Sequence, residues 1–129
     1  MGTGGRSAPG LPRLRAVCEA WIGYLERERT IFPGGCLFVT AAVEFDARGG
    51  AVRDAVARLL LLWRRRLAEE VRTAVTAGEL PPDTDPEQTA FELIGLYMSL
   101  NQAVQLFGDT SAPERTRRAL GRLLAPPPR

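Results

Sequence analysis

Residues 32–46 read FPGGCLFVTAAVEFD, and residues 47–54 continue as ARGGAVRD. Pro33 disfavours helical geometry in the residue before it, so the sequence predicts a break there and a new helix just after it. The small residues that follow allow close packing against a neighbour, and we expect this helix to end near Phe45. A glycine pair then separates it from a longer helical pattern. The segment therefore predicts two helices joined by a short loop.

Apolar residues recur at helical spacing in the remaining segments as well. A first helix is predicted from Pro12, a third over about residues 51–77, a fourth from the cap Asp85 to about Phe107, and a fifth from near Ser111 to near Leu124. No segment predicts a strand. The expected fold class is all-α, a helical bundle of about five helices with short connections.

The chain is long enough for one domain. Residues 1–11 are rich in glycine and are expected to form a disordered tail, and residues 126–129 a second short tail. Residues 12–125 make up the predicted domain. The longest strongly apolar run is too short to span a membrane, and the N-terminal stretch lacks the apolar core of a signal peptide. We expect a cytoplasmic protein, since a reduced pair is the simplest interpretation of Cys18 and Cys36.

The composition excludes several kinds of function. The 129 residues include no histidine, so the commonest general base and metal ligand is missing. A net charge of +2 is too small to indicate nucleic-acid binding. Cys18 and Cys36 match no metal or redox spacing, and Cys36 is more simply a small buried residue than a reactive thiol. The sequence predicts no metal, no cofactor and no enzymatic activity.

The predicted fourth helix is apolar on too many sides for a single buried stripe. A helix of this kind needs cover on two sides, and a second copy of the chain can supply the second cover. We expect the last two helices to form a homodimer interface, although a central helix of a monomeric bundle has the same pattern. The predicted interface residues are Phe91, Leu93, Leu96, Leu100, Val104, Phe107, Arg117, Leu120 and Leu124.

The order of three short motifs resembles the effector-binding half of TetR-family transcriptional regulators. These motifs are the PGGC helix start, the small-residue helix ending in EFD, and the VRDAV helix start. The resemblance covers residues 11–124. It implies a ligand-binding and dimerisation domain in which the last two helices of each subunit form a four-helix interface. No segment resembles the family's DNA-binding domain, so no residue is predicted to contact DNA.

The resemblance also implies an internal pocket for a small-molecule effector. Pockets of this kind are mostly apolar with a few polar groups, and large side chains on several predicted helices fit that description. The candidate pocket residues are Cys18, Trp21, Phe38, Phe45, Trp63, Tyr97, Met98 and Asn101, and Thr40 and Gln105 are further polar candidates. Each is individually more typical of an ordinary core, and none specifies the class of effector.

Three explanations for the missing DNA-binding domain remain open at this point. The chain is a fragment of a longer regulator, its start is assigned too far downstream, or it is a free-standing module that senses a ligand or forms mixed dimers. A free-standing interaction module with a filled core is the main alternative function, and a small helical enzyme is a remote one. The effector, the target genes and the direction of control do not follow from the sequence.

Overall fold

The computed structural model describes residues 8–28 and 50–128, and these residues form four α-helices. The helices are α1 (Leu11–Glu28), α2 (Ala51–Thr76), α3 (Pro86–Gln105) and α4 (Ala112–Leu123). Within these two stretches there is no strand, which confirms the all-helical class. The helix predicted to end near Phe45 lies outside the described residues.

Glycines in left-handed geometry end α2 and α3. Gly78 has φ +76°, as expected for the predicted stop, and the N–H of Glu79 donates to the carbonyl of Ala74 at 2.9 Å. Gly108 has φ +60°, and the N–H of Asp109 donates to the carbonyl of Ala103 at 2.9 Å. The chain leaves the helical path before it reaches Gly108. The helix α3 therefore ends at Gln105, two residues earlier than the predicted end near Phe107.

Pro86 and Pro113 lie in the first turns of α3 and α4, and an aspartate precedes each of these helices. Asp85 accepts hydrogen bonds from the N–H groups of Glu87 at 3.0 Å and Gln88 at 3.2 Å, as the sequence predicts. Ser111 is the N-cap of α4 but makes no side-chain capping bond. Asp109 accepts bonds from Ser111 instead, from its N–H at 2.9 Å and its hydroxyl at 2.6 Å. These bonds lower the pKa of the Asp109 carboxyl.

The first turn of α1 is capped by two carboxylates from α2 and the turn that follows it. Glu70 Oε1 accepts a hydrogen bond from the N–H of Gly10 at 2.8 Å, and Glu79 Oε1 accepts one from the N–H of Leu11 at 3.0 Å. A helix start leaves such N–H groups without partners in its own chain segment. The side chains of residues some sixty positions away therefore fix where α1 begins.

The helices enclose two adjoining clusters of buried apolar side chains. One joins α1, α2 and α3 to the end of α4, and it consists of Leu11, Leu14, Cys18, Leu67, Ala68, Val71, Ala74, Leu80, Ala90, Leu93 and Leu124. The other joins α1, α3 and the start of α4, and it consists of Ile22, Leu25, Tyr97, Leu100, Val104 and Ala112. Trp21 and Trp63 pack against both clusters, so they stand where the two meet.

Candidate functional site

Three aromatic rings from three different helices meet at the junction of the two core clusters. The ring centroids of Trp21 on α1 and Trp63 on α2 are 5.1 Å apart, and those of Trp21 and Tyr97 on α3 are also 5.1 Å apart. The centroids of Trp63 and Tyr97 are 5.5 Å apart. All three pairs are edge-to-face, the arrangement that aromatic pairs favour. We call Trp21, Trp63 and Tyr97 the aromatic triad.

The triad brings together three of the predicted pocket residues. Two other candidates share its helix α3: Asn101 is buried and Met98 is half-buried. Phe38 and Phe45, as well as Thr40, lie outside the described residues, so their place relative to the triad stays a prediction. The three rings pack edge to face against one another where α1, α2 and α3 meet.

Cys18 belongs to the core and also lines a separate cleft between α1 and α4. This cleft has a volume of about 260 Å³ and is lined by Arg15, Cys18, Glu19, Arg117, Leu120, Gly121 and Leu124. Burial, and secondarily the charge of Glu19, raise the pKa of the Cys18 thiol to about 12. A thiol held in its neutral form is a poor nucleophile and a poor metal ligand.

Arg117 faces α1 and forms an ion-pair fork there. Its Nη2 lies 2.7 Å from Glu19 Oε1 and 3.2 Å from Glu26 Oε1. The hydrogen bond to Glu19, together with the two negative charges, raises the pKa of Arg117. The prediction that Arg117 lies in a subunit interface did not anticipate these partners, since Glu19 is 98 positions away in sequence. We therefore leave Arg117 out of the proposed interface.

Several of the other predicted interface residues face the interior of one subunit. Leu93, Leu100, Val104 and Leu124 are buried, and Leu120 is half-buried against both core clusters. These side chains already pack within their own chain and have little surface left to offer a second copy. The prediction placed them at the interface because α3 is apolar all round, and periodicity alone does not tell which face turns inward.

Phe91 and Phe107 remain on the surface, with 59% and 68% of their area exposed. The guanidinium carbon of Arg64 lies 5.9 Å from the centroid of the Phe91 ring, which is within reach of a cation–π contact. Leu106, next to Phe107, is also exposed. Exposed large apolar groups at both ends of α3 are consistent with a surface that is covered in the assembled protein.

A groove between α3 and α4 contains a predicted interface residue and several that the sequence analysis missed. It has a volume of about 440 Å³ and is lined by Glu92, Gly95, Leu96, Ala119, Arg122 and Leu123. Leu96 was predicted, and Leu123 and Arg122 lie on the predicted fifth helix that was expected to join the interface. The missed residues, Glu92, Gly95 and Ala119, are charged or small, so an analysis based on apolar periodicity does not select them. Glu92, Gly95 and Leu96 are spaced i, i+3 and i+4, which places them on one face of a helix. This spacing was the signal in the sequence that could have grouped them.

The described residues contain no group of three or more acidic, cysteine or histidine side chains that could hold a metal ion. None of the four helices in this part of the chain is both long and apolar enough to cross a membrane.

Comparison with known proteins identifies the family. Residues 10–120 match the family described as the tetracyclin repressor-like C-terminal domain. The chain belongs to this family, as the motif order in its sequence suggested. No curated protein sequence matches the chain.

A solved structure shares the fold. It is the crystal structure of a TetR-family transcriptional regulator from Cytophaga hutchinsonii, which superimposes with a TM-score of 0.68 at 21% sequence identity. The match covers 87% of this chain and 64% of that protein, so the chain spans less than two thirds of the length of the regulator it resembles. At this identity the likeness establishes the fold alone.

Proposed function

We propose that this chain is the ligand-sensing and dimerisation domain of a TetR-like transcriptional regulator, and that the aromatic triad is part of its effector site. The observation that carries the proposal is the meeting of three rings from α1, α2 and α3 at centroid distances of 5.1 to 5.5 Å. A ligand that inserts between them contacts three helices at once. Its binding then changes how those helices pack, which is what a sensor requires.

The chemistry of the triad favours a small, largely apolar effector with a flat or aliphatic face. Aromatic side chains offer broad apolar surfaces, and most ligand sites combine such walls with a few polar groups. Asn101 is the buried polar residue nearest in sequence to Tyr97 on α3. Since the rings are in mutual contact, ligand entry involves their separation.

Intrinsic fluorescence tests this proposal, because the chain has two tryptophans and both belong to the triad. We propose titration with 1-anilinonaphthalene-8-sulfonate as an apolar probe, following energy transfer from tryptophan. The expected result is saturable transfer at one probe per subunit, which Tyr97→Ala weakens and Phe107→Ala leaves unchanged. Loss of transfer in Phe107→Ala, with Tyr97→Ala unaffected, would place the probe on the exposed surface and contradict the proposal.

The same domain is proposed to form a homodimer through the groove between α3 and α4. Gly95 lies in the middle of α3, where glycine costs about 1 kcal/mol relative to alanine. Gly95 lines the groove, and a Cβ built there meets no atom within 4 Å, so no contact in the described part of its own subunit requires a glycine at this position. Close approach of a second helix from outside is a recognised reason for such a glycine. The proposed interface keeps Leu96, Phe91 and Phe107 from the predicted set.

Sedimentation equilibrium tests the dimer. The expected wild-type mass is near twice 14.1 kDa, and Gly95→Gln is expected to shift the protein towards monomer. Gly121→Gln is the matched control, because Gly121 is also an exposed helical glycine at which an added Cβ would meet no atom within 4 Å. A Gly95→Gln protein that stays as dimeric as Gly121→Gln contradicts this location for the interface.

DNA binding is proposed to occur only through a DNA-binding domain separate from this helical domain, and catalysis is not part of the proposed role. The proposed site of action is the cytoplasm. An operator-length duplex retained by the purified 129-residue chain at moderate salt would count against this division of roles. The alternative of a free-standing interaction module predicts a dimer without saturable probe binding.

A further inference from the structure

Two residues of opposite charge border the groove between α3 and α4. Glu92 lies on α3 and Arg122 on α4, and both are exposed. The ion pairs formed within residues 8–28 and 50–128 use other side chains. The groove is also lined by Gly95 and Ala119, which are too small to keep another helix at a distance.

Twofold symmetry gives such a patch a particular property. In a twofold dimer the same surface of both copies forms the interface, so any contact between two different residues occurs twice. A patch with one acid and one base can therefore satisfy both charges against itself. Like charges placed opposite each other instead disfavour a wrong partner.

We infer that Glu92 of one copy pairs with Arg122 of the second copy, and that this reciprocal pair of ion pairs selects the partner of the domain. The inference rests on the proposed dimer and adds to it the residues that determine which chain is accepted. The partner is a second copy of this chain. A related chain that carries the same charge at both positions is rejected by repulsion.

Charge reversal tests the inference, because each single variant is expected to dimerise poorly by itself and the two variants are expected to dimerise well with each other. Glu92→Arg alone places Arg against Arg in both pairs, and Arg122→Glu alone places Glu against Glu. An equimolar mixture of the two variants can form a mixed dimer with two different contacts. In one contact the two substituted residues face each other with opposite charges. In the other contact the original Glu92 and Arg122 face each other. The expected result is that each variant alone weakens dimerisation by about tenfold or more at low salt, while the mixture regains an affinity close to that of the wild type.

Glu69→Arg on α2 is the matched control, since it makes the same charge change at an exposed residue outside the groove. It is expected to dimerise as the wild type does, and circular dichroism verifies that all variants are folded. Single variants that dimerise like the control, or a mixture no tighter than its components, overturn the inference and leave the dimer itself intact. A dimer with a dissociation constant in the micromolar range or below is populated at a concentration of about 100 μM. A wild-type protein that is still monomeric at that concentration overturns both proposals.

Discussion

Arg117 on α4 donates two hydrogen bonds to the same carboxylate oxygen of Glu19 on α1, from Nε at 2.9 Å and from Nη2 at 2.7 Å. A second acid on α1, Glu26, accepts from Nη2 at 3.2 Å. The fork joins the helix that borders the proposed dimer groove to the helix that carries Trp21. The fork therefore connects α1 and α4 through side chains at the surface.

The Arg117–Glu19 pair is expected to couple energetically but weakly. Both side chains are partly exposed, and ion pairs in such positions contribute about 0.2–1 kcal/mol. A double-mutant cycle with Arg117→Met and Glu19→Gln, measured by urea unfolding, should give a coupling free energy in that range. The coupling should shrink in 1 M salt, where the Debye length is about 3 Å. A cycle of Arg122→Met with Glu19→Gln is the control and should give no coupling.

Gly10→Ala is expected to destabilise the fold through the start of α1. Gly10 has φ +89°, and a Cβ there would lie 2.5 Å from Glu79 Oε1 and 3.3 Å from the Cα of Ala74. The left-handed geometry alone costs an alanine roughly 1–2 kcal/mol, and displacement of Glu79 removes the cap on Leu11.

Gly121→Ala is the control for Gly10→Ala, because it lies within α4 with open space around the Cβ position. It should raise the free energy of unfolding by up to about 1 kcal/mol. Urea unfolding followed by circular dichroism measures both. Equal effects of the two substitutions would show that the contacts of Gly10 do not hold α1 in place.

Tyr97→Ala is expected to cost about 3 kcal/mol or more of stability, the usual range for removing a large buried ring. It leaves a cavity beside both tryptophans, so their emission should also shift to longer wavelength as water gains access. Tyr24→Ala removes the same side chain from a position that is 39% exposed and should cost less than about 1 kcal/mol. Similar losses at the two tyrosines would contradict the packing of the triad.

The thiol of Cys18 is expected to resist alkylation in the folded protein. Its pKa of about 12 lies well above the ordinary value of 9.0, and only the thiolate reacts. Because the folded-state pKa is raised, the stability that the neutral thiol contributes is full below about pH 9 and falls as the pH rises towards 12.

The measurement uses iodoacetamide at pH 8 on a Cys36→Ser protein, so that Cys18 is the one remaining thiol. Labelling should be at least about a hundredfold slower than in urea, since the thiolate fraction falls tenfold for each unit of pKa. Comparable rates in the two conditions would mean that Cys18 is not buried in solution.

Local signals in the sequence predicted most of the helix boundaries. Asp85 with Pro86, and Gly78 after the last apolar residue of α2, each act on neighbouring backbone groups, so their effect is visible within a few residues of sequence. The predicted end of α3 near Phe107 lies two residues beyond the observed end at Gln105. The helix ends earlier because the chain turns at Gly108, where the N–H of Asp109 donates to the carbonyl of Ala103.

The sequence did not predict which residues far apart in the chain contact one another. A helix that is apolar on two sides does not reveal which side meets its own subunit, so Leu93 and Leu100 were assigned to the interface although they are buried in the core. Glu19 and Arg117 are likewise far apart in sequence and adjacent in space. The three triad residues were among the predicted pocket candidates on different helices, but nothing in the sequence indicated that these three rings would meet edge to face, because that depends on how the helices pack.

The most direct test of the proposed sensor is fluorine NMR of protein labelled with 5-fluorotryptophan. The two tryptophans give two resonances, and both report on the triad. If the triad is part of the effector site, both resonances shift together and saturably as 1-anilinonaphthalene-8-sulfonate is added, and Tyr97→Ala weakens the binding that the shift reports. Resonances that stay in place while the probe is bound would show that the ligand site lies elsewhere, and would contradict the central claim.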